Sequence, residues 1–141
     1  MLEIEKTVVE GAGAAGLAAL LHAQSMDDTR FEGKKIGVVL CGGNIDPLVL
    51  GGLIERGMVR AGRLTRIRVS IHDLPGALSQ ITQLVADTGA NITEVSHQRA
   101  FTSLPAQDVE VDLVMQTRGH EHVDEILTTL REKGFRAVRG D

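Results

Sequence analysis

Three short stretches of this sequence carry residue types whose spacing could do chemistry. The first, Asp73-Leu74-Pro75-Gly76-Ala77-Leu78, stands between an alternating segment ending at His72 and a segment of helical periodicity from Gly76 to about Thr88, so it reads as a strand-to-helix loop. Pro75 suits a first helical position, since it has no N–H to leave unpaired and its φ is already near the helical value. Behind it the N–H groups of Gly76, Ala77 and Leu78 would open a helix with no acceptor one turn earlier, and Gly76 leaves room for a ligand's backbone. Such groups, aided by a helix dipole contributing about 0.3–1 kcal/mol, hold a small carboxylate. Asp73, a backbone carbonyl, or Asn91 from the same or a neighbouring subunit would take an ammonium, and Leu74, Leu78 and Ile92 favour an aliphatic body. The plain alternative is an ordinary connection with Asp73 near the cap position.

The second stretch, Cys41-Gly42-Gly43-Asn44, follows the apolar run Lys35 to Leu40 and places a thiol and two glycines at the end of a predicted buried strand, where ligands bind in open α/β sheets. A tight turn with an inert cysteine is the alternative. No His or Asp stands at a spacing that would make Cys41 a nucleophile. The third, Gly11-Ala12-Gly13-Ala14-Ala15-Gly16, matches the dinucleotide pattern G-x-G-x-x-G after the short apolar run Thr7-Val8-Val9. Its context fails, because the strand ending at Leu40 leads into Cys41 rather than an acidic residue that would hold a ribose, and Asp27, Asp28 and Glu32 precede that strand. Close helix packing through small residues is the stronger reading. His120 and His122, two apart near a helix start, do not share a helical face, so no metal site is expected. Asn91-Ile92-Thr93 has the glycosylation pattern and reads as a strand entry.

Composition bounds these readings. A hydrophobic content of 43% allows a true core, but aromatics are 2% with no Trp or Tyr, so Val, Ile, Leu and Ala must build it. The same scarcity leaves little base-stacking surface, and a net charge of −4 lacks a basic footprint, so no nucleic-acid partner is expected. One cysteine excludes an internal disulfide, Leu17 to Leu21 is too short to span a bilayer, and the first residues lack the basic region of a signal peptide. The expectation is a cytoplasmic protein without membrane contact.

The elements that would position these residues fall into two styles, with a boundary expected near Arg60 to Arg63, dividing 1–62 from 63–141. Residues 1–60 are Gly- and Ala-rich: a helix through about Ala23, a polar loop from Met26 to Gly33, the apolar run to Leu40, and a helix from Pro47 to Arg56 stopped at Gly57. Beyond the boundary, Ile67, Val69 and Ile71 alternate with Arg66, Arg68 and Ser70. A helix puts Leu78, Ile81 and Val85 on one stripe, with Leu84 alongside and Gly89 as its stop. Asn91 to Phe101 reads as a strand of poorer pattern, since Ile92 and Val95 fall on opposite faces. After a loop around Pro105, Val109, Val111, Leu113 and Met115 alternate. A helix with Val123, Ile126, Leu127 and Leu130 and a strand from Phe135 to Val138 close the chain. The order βαββαβ fits an α+β, ferredoxin-like antiparallel sheet with both helices on one face. At about 75 residues such a unit is marginal alone and favours a covered edge or face.

Val8 to Gly16, Gly37 to Asp46 and Asp73-Leu74-Pro75-Gly76, in that order, resemble the C-terminal part of the threonine ammonia-lyase (threonine dehydratase) family. That resemblance covers essentially the whole chain. It implies an ACT regulatory domain over 63–141, preceded by an α/β remnant of a tryptophan-synthase-β-like (fold-type II) pyridoxal-phosphate domain over 1–62. It places Cys41 against the pyridine nitrogen of the cofactor, with Gly42 and Gly43 beside it. The family's Schiff-base lysine and phosphate loop have no match here, and Lys34 and Lys35 are outside the required motif. The chain is therefore expected to be a truncated form, to carry no catalytic residue, to hold no cofactor itself and to be inactive alone. The complete enzyme would convert L-threonine to 2-oxobutanoate and ammonia in isoleucine biosynthesis or threonine catabolism. The resemblance further implies that Asp73 to Leu78, with Asn91 and Ile92, bind isoleucine or valine in a homo-oligomer paired through ACT domains. A purely structural oligomerisation module and a dinucleotide-binding protein are the alternatives.

Overall fold

The computed structural model describes residues 1–98 and 108–140. They form two compact units, Met1–Leu53 and Ile54–Asp141. The second is organised by one strand pair. Strand β1 (Leu64–His72) lies antiparallel to β3 (Asp108–Gln116) over its whole length, so that Ile67 faces Leu113, Val69 faces Val111 and Ile71 faces Val109. These inward residues are essentially excluded from solvent, as the period-2 pattern requires of a sheet covered on one face.

Strand β2 (Asn91–Gln98) adds to the free edge of β3 and β4 (Arg136–Arg139) to that of β1, giving a fully antiparallel sheet ordered β2-β3-β1-β4. Helices α3 (Ala77–Asp87) and α4 (His120–Glu132) bury Ile81 and Val85, and Val123, Ile126, Leu127 and Leu130, in one cluster with the inward strand residues. The expected ferredoxin-like βαββαβ arrangement is therefore present. Its buried cluster holds no aromatic side chain, with Phe135 packed only against its margin, because the sequence supplies almost none.

Three features differ from the pattern expected of the sequence. Ile92 and Val95 do not fall on opposite faces: the register shifts between Ile92 and Glu94, so Ile92 pairs with Met115 and Val95 with Leu113, both inward positions. Thr93 is the extra residue of a β-bulge, and its hydroxyl donates to the Val114 carbonyl at 3.1 Å. The strand was expected to reach Phe101; it is seen to Gln98, and Phe101 and the loop around Pro105 lie outside the described residues.

Helix α2 (Pro47–Arg60) runs through Gly57 instead of stopping there. Asp46 caps its start, accepting from the N–H groups of Leu48 and Val49 at 2.8 and 3.1 Å, with Pro47 in the first position. It ends where Arg63 donates to the Met58 carbonyl and Gly62 to that of Val59, a Schellman closure with Gly62 at φ +66°. Gly62 meets both demands of that position, since a Cβ there would come within 2.7 Å of the His120 backbone nitrogen.

In the first unit, helix α1 (Gly11–Ser25) takes the whole glycine run into its first two turns, and a 3-10 turn spans Thr29–Phe31 with Asp28 at its cap. The Arg30 guanidinium, bonded to the half-buried Asp28 carboxylate, holds that carboxyl below its usual range. Neither Thr7 to Val9 nor Lys35 to Leu40 forms a strand. Ile36, Val39 and Leu40 are exposed, and a strand needs a ladder partner that the described residues of this unit do not supply. No helix among the described residues is long and apolar enough to cross a membrane.

Truncating the fully buried Leu113 to Ala should cost about 2–5 kcal/mol, because the strand pair cannot collapse into the void. Urea denaturation followed by far-UV circular dichroism checks it, and a loss below 1 kcal/mol would place the core elsewhere.

Candidate functional site

The turn after β1 is built from backbone constraints. The Leu74 N–H donates back to the His72 carbonyl at 2.8 Å, ending the ladder. The Leu74 carbonyl then accepts from Ala77 N–H at 3.1 Å, with Pro75 and Gly76 between them and Gly76 at φ 90°, ψ −14°. This is a type II β-turn, in which Pro fits the second position and the left-handed third position demands Gly. A Cβ at Gly76 would meet no atom of the described residues within 4 Å, so among them conformation alone requires the glycine.

Helix α3 consequently starts two residues later than Pro75 would imply. Gly76 is its N-cap, with the first helical bond from Gln80 N–H to the Gly76 carbonyl at 3.0 Å. Ala77 N–H, expected to be open, is used by the turn. The N–H groups of Leu78 and Ser79 have no backbone acceptor among the described residues. Among the described residues no side chain caps this helix start, and its first turn holds no acidic residue to repel an anion.

A cavity of about 410 Å³ lies over this turn, lined by Ile71, by every residue from Asp73 to Leu78, and by His97. Its volume is within the range of about 300–1,000 Å³ usual for small-molecule sites. Leu74 and Leu78 remain accessible at its rim, so the wall is part apolar and part backbone. His72, at the base of the turn, pairs with Asp108 across the β1–β3 ladder.

All six residues proposed from the loop itself are thus brought together, whereas Asn91 and Ile92 are not. Asn91 pairs with Gln116 opposite Leu64, and His72 lies eight residue steps along β1 from Leu64, so Asn91 lies roughly 26 Å from the turn. Its amide reaches Gln116 at 3.4 Å, and Ile92 packs against the core. From one chain neither can touch a ligand in this cavity. His97 takes that place, and sequence reading missed it. The signal is the Thr93 bulge, which sets His97 opposite Val111 and so on the inward face.

The Cys41 turn is assembled differently. The Glu10 N–H donates to the Gly42 carbonyl at 2.6 Å, and Gly42 sits at φ +77° against the Glu10 side chain. A Cβ on Gly13 would fall 1.6 Å from the Cys41 carbonyl oxygen and one on Gly16 3.0 Å from Val38 Cγ1, so two of the three glycines serve close packing on α1. With the glycine run inside a helix and no strand before it, a dinucleotide loop has no basis here. Cys41 is exposed, and the carboxylate beside Gly42 would repel a phosphate. The donor set of this turn does not fit pyridoxal phosphate by itself. Among the described residues no group of His, Cys, Asp and Glu could hold a metal ion.

The sequence matches the family model of the ACT domain over residues 65–135. It is 42% identical to an L-threonine ammonia-lyase of Geobacter sulfurreducens, over 96% of this chain and 33% of that protein. It is 38% identical to the L-threonine ammonia-lyase of Thermotoga maritima over 96% of this chain and 32% of that protein. The chain thus spans about a third of the length of these relatives. Among solved structures, the ACT domain of a GTP pyrophosphokinase from Chlorobium tepidum superposes with a TM-score of 0.44 at 19% identity, over 55% of this chain and 96% of that one.

The two kinds of glycine can be told apart by substitution. Gly76→Ala should destabilise the second unit by about 1–2 kcal/mol, since an L side chain is forced into the left-handed region. Gly57→Ala, in open space within α2, should be neutral or stabilise by up to about 1 kcal/mol. Denaturation midpoints of the two variants check this, and equal shifts of the same sign would contradict the turn assignment.

Proposed function

The chain belongs to the ACT domain family, and on that premise we propose that it is a regulatory module of a threonine ammonia-lyase that binds a small aliphatic amino acid at the Asp73–Leu78 turn. The observation that carries the reading is the cavity over the type II turn, with the N–H groups of Leu78 and Ser79 at an uncapped helix start. These groups donate to an α-carboxylate, the helix dipole favours its charge, and Asp73 at the cavity wall attracts the ammonium. Leu74 and Leu78 cover an aliphatic side chain, which favours isoleucine or valine over a polar amino acid.

Asn91 joins this site only from a second copy, so the proposal includes a homodimer that sets the start of one β2 beside the turn of the other. Regulation then requires that the effector bind two arrangements of the complete enzyme with different affinity. The threonine deamination itself, and the pyridoxal phosphate it uses, belong in this reading to residues outside the chain. Cys41, Gly42 and Gly43 would then contact the cofactor only within the complete catalytic domain.

A module that merely pairs subunits is the competing reading, favoured by the two open sheet edges, β2 and β4. Calorimetric titration with isoleucine, valine and threonine separates the two. Saturable heat with isoleucine or valine is expected, and Asp73→Asn, which keeps the shape and removes the charge, should weaken binding by about 10- to 100-fold. No heat with any of the three at millimolar concentration, from a protein that sediments as a dimer, would leave only the structural role.

A further inference from the structure

A second cavity, of about 480 Å³, lies at the opposite end of β1 from the Asp73 turn, enclosed by the C-terminal half of α2, the first residues of β1 and the end of β4. Four arginines line it, Arg56, Arg60, Arg66 and Arg139, against two carboxylates, Glu55 and Glu94. None of the four has a carboxylate within 4.0 Å among the described residues. In a chain of net charge −4, this is an unneutralised concentration of cations.

The strand register explains why. Along the outer face of β1, Arg68 stands opposite Asp112 and is held by it through two contacts, at 2.8 and 3.1 Å. Arg66, two residues earlier on the same face, stands opposite Val114. The ladder therefore gives one arginine an acid and the next none. Yet Arg66 is held in place: Gly140 donates its N–H to the Arg66 carbonyl at 2.8 Å, and a Cβ on Gly140 would come within 2.9 Å of Arg66 Cγ.

Arg139 is positioned by an imidazole. Its Nη1 donates to His120 Nδ1 at 3.4 Å, while His120 Nε2–H donates to the Arg60 carbonyl at 3.0 Å. This chain of bonds ties the ends of α2, α4 and β4 together without adding a negative charge. Thr65 lines the same cavity, and its buried hydroxyl has no hydrogen-bond partner among the described residues. Val59, Leu64 and Val114 supply the apolar part of the wall.

The geometry points to a binding site for a small phosphate-bearing molecule, separate from the amino-acid site. Guanidinium groups offer paired N–H donors that match phosphate oxygens, and the apolar wall accommodates an organic body. The site is independent of the proposed amino-acid effector, because its residues share no member with the Asp73 cavity.

The test uses the full chain, isotopically labelled, titrated with inorganic pyrophosphate, with glycerol phosphate, and with sodium chloride at matched ionic strength. Amide and methyl shifts should saturate with either phosphate compound at about 1 mM or below and cluster at Val59, Leu64, Val114 and Gly140. Arg56→Gln with Arg66→Gln should weaken this by about tenfold or more. Should that pair fail to fold, Arg139→Gln carries the same expectation. Shifts reproduced by sodium chloride, shifts centred on Leu74 to Leu78, or unchanged binding in a folded arginine variant would each overturn the proposal.

Discussion

The antiparallel pairing of β1 with β3 is the constraint on which the rest of the second unit depends. Nine consecutive partners fix which residues face inward, and the inward ones, from Ile67 to Met115, are those that α3 and α4 cover. A slip of β1 by one residue would turn its inward residues outward and present Arg66 and Arg68 to the helices. The register is therefore held by the free energy of the whole core. No single contact sets it. The same register decides where β1 must end, and hence where the Asp73 turn stands.

That turn shows how a backbone requirement becomes a binding surface. The chain has to reverse from β1 into α3 within four residues, and the Pro75-Gly76 type II turn does so by spending one amide N–H, that of Ala77, on closure. A side-chain cap at the N-cap position would have satisfied a further donor. Gly76, required for its φ, has no side chain to cap with. The open N–H groups of Leu78 and Ser79 thus follow from the turn type, and an acceptor from outside the chain has a place to go.

Much of this was legible in the sequence, for a definite reason. Where a segment's partners are near and regular, as in Val109 to Met115 or the Ile81–Val85 stripe, hydrophobic period reports the burial directly. Where geometry depends on a local irregularity, period misleads: one extra residue at Thr93 reversed the faces of everything after it in β2, hiding His97 from the site. Gly57 misled in the opposite sense. A glycine is a stop only if the chain can use its left-handed conformation, and the Schellman closure at Gly62 used that one instead. For the apolar run before Cys41, composition spoke for a strand, but a strand is a property of two segments, and the unit describes no second one.

The arginine cavity marks a different limit. Its four cations come from α2, β1 and β4, with Arg56 and Arg139 standing 83 positions apart, and each looks ordinary where it stands. Arg56 reads as the last residue of a helix, a favourable charge at its C-terminus, Arg60 as part of the boundary between two segments, and Arg66 as one outward position of an alternating strand. Net charge argues the wrong way, since an acidic chain gives no hint of a local excess of cations. What concentrates them is the register that aligns Arg68 with Asp112 and Arg66 with Val114, together with the His120 bridge that brings Arg139 toward the end of α2. A sheet that gives Arg68 an acid and leaves Arg66 without one creates a local field by omission. That field exists only once the strands are paired.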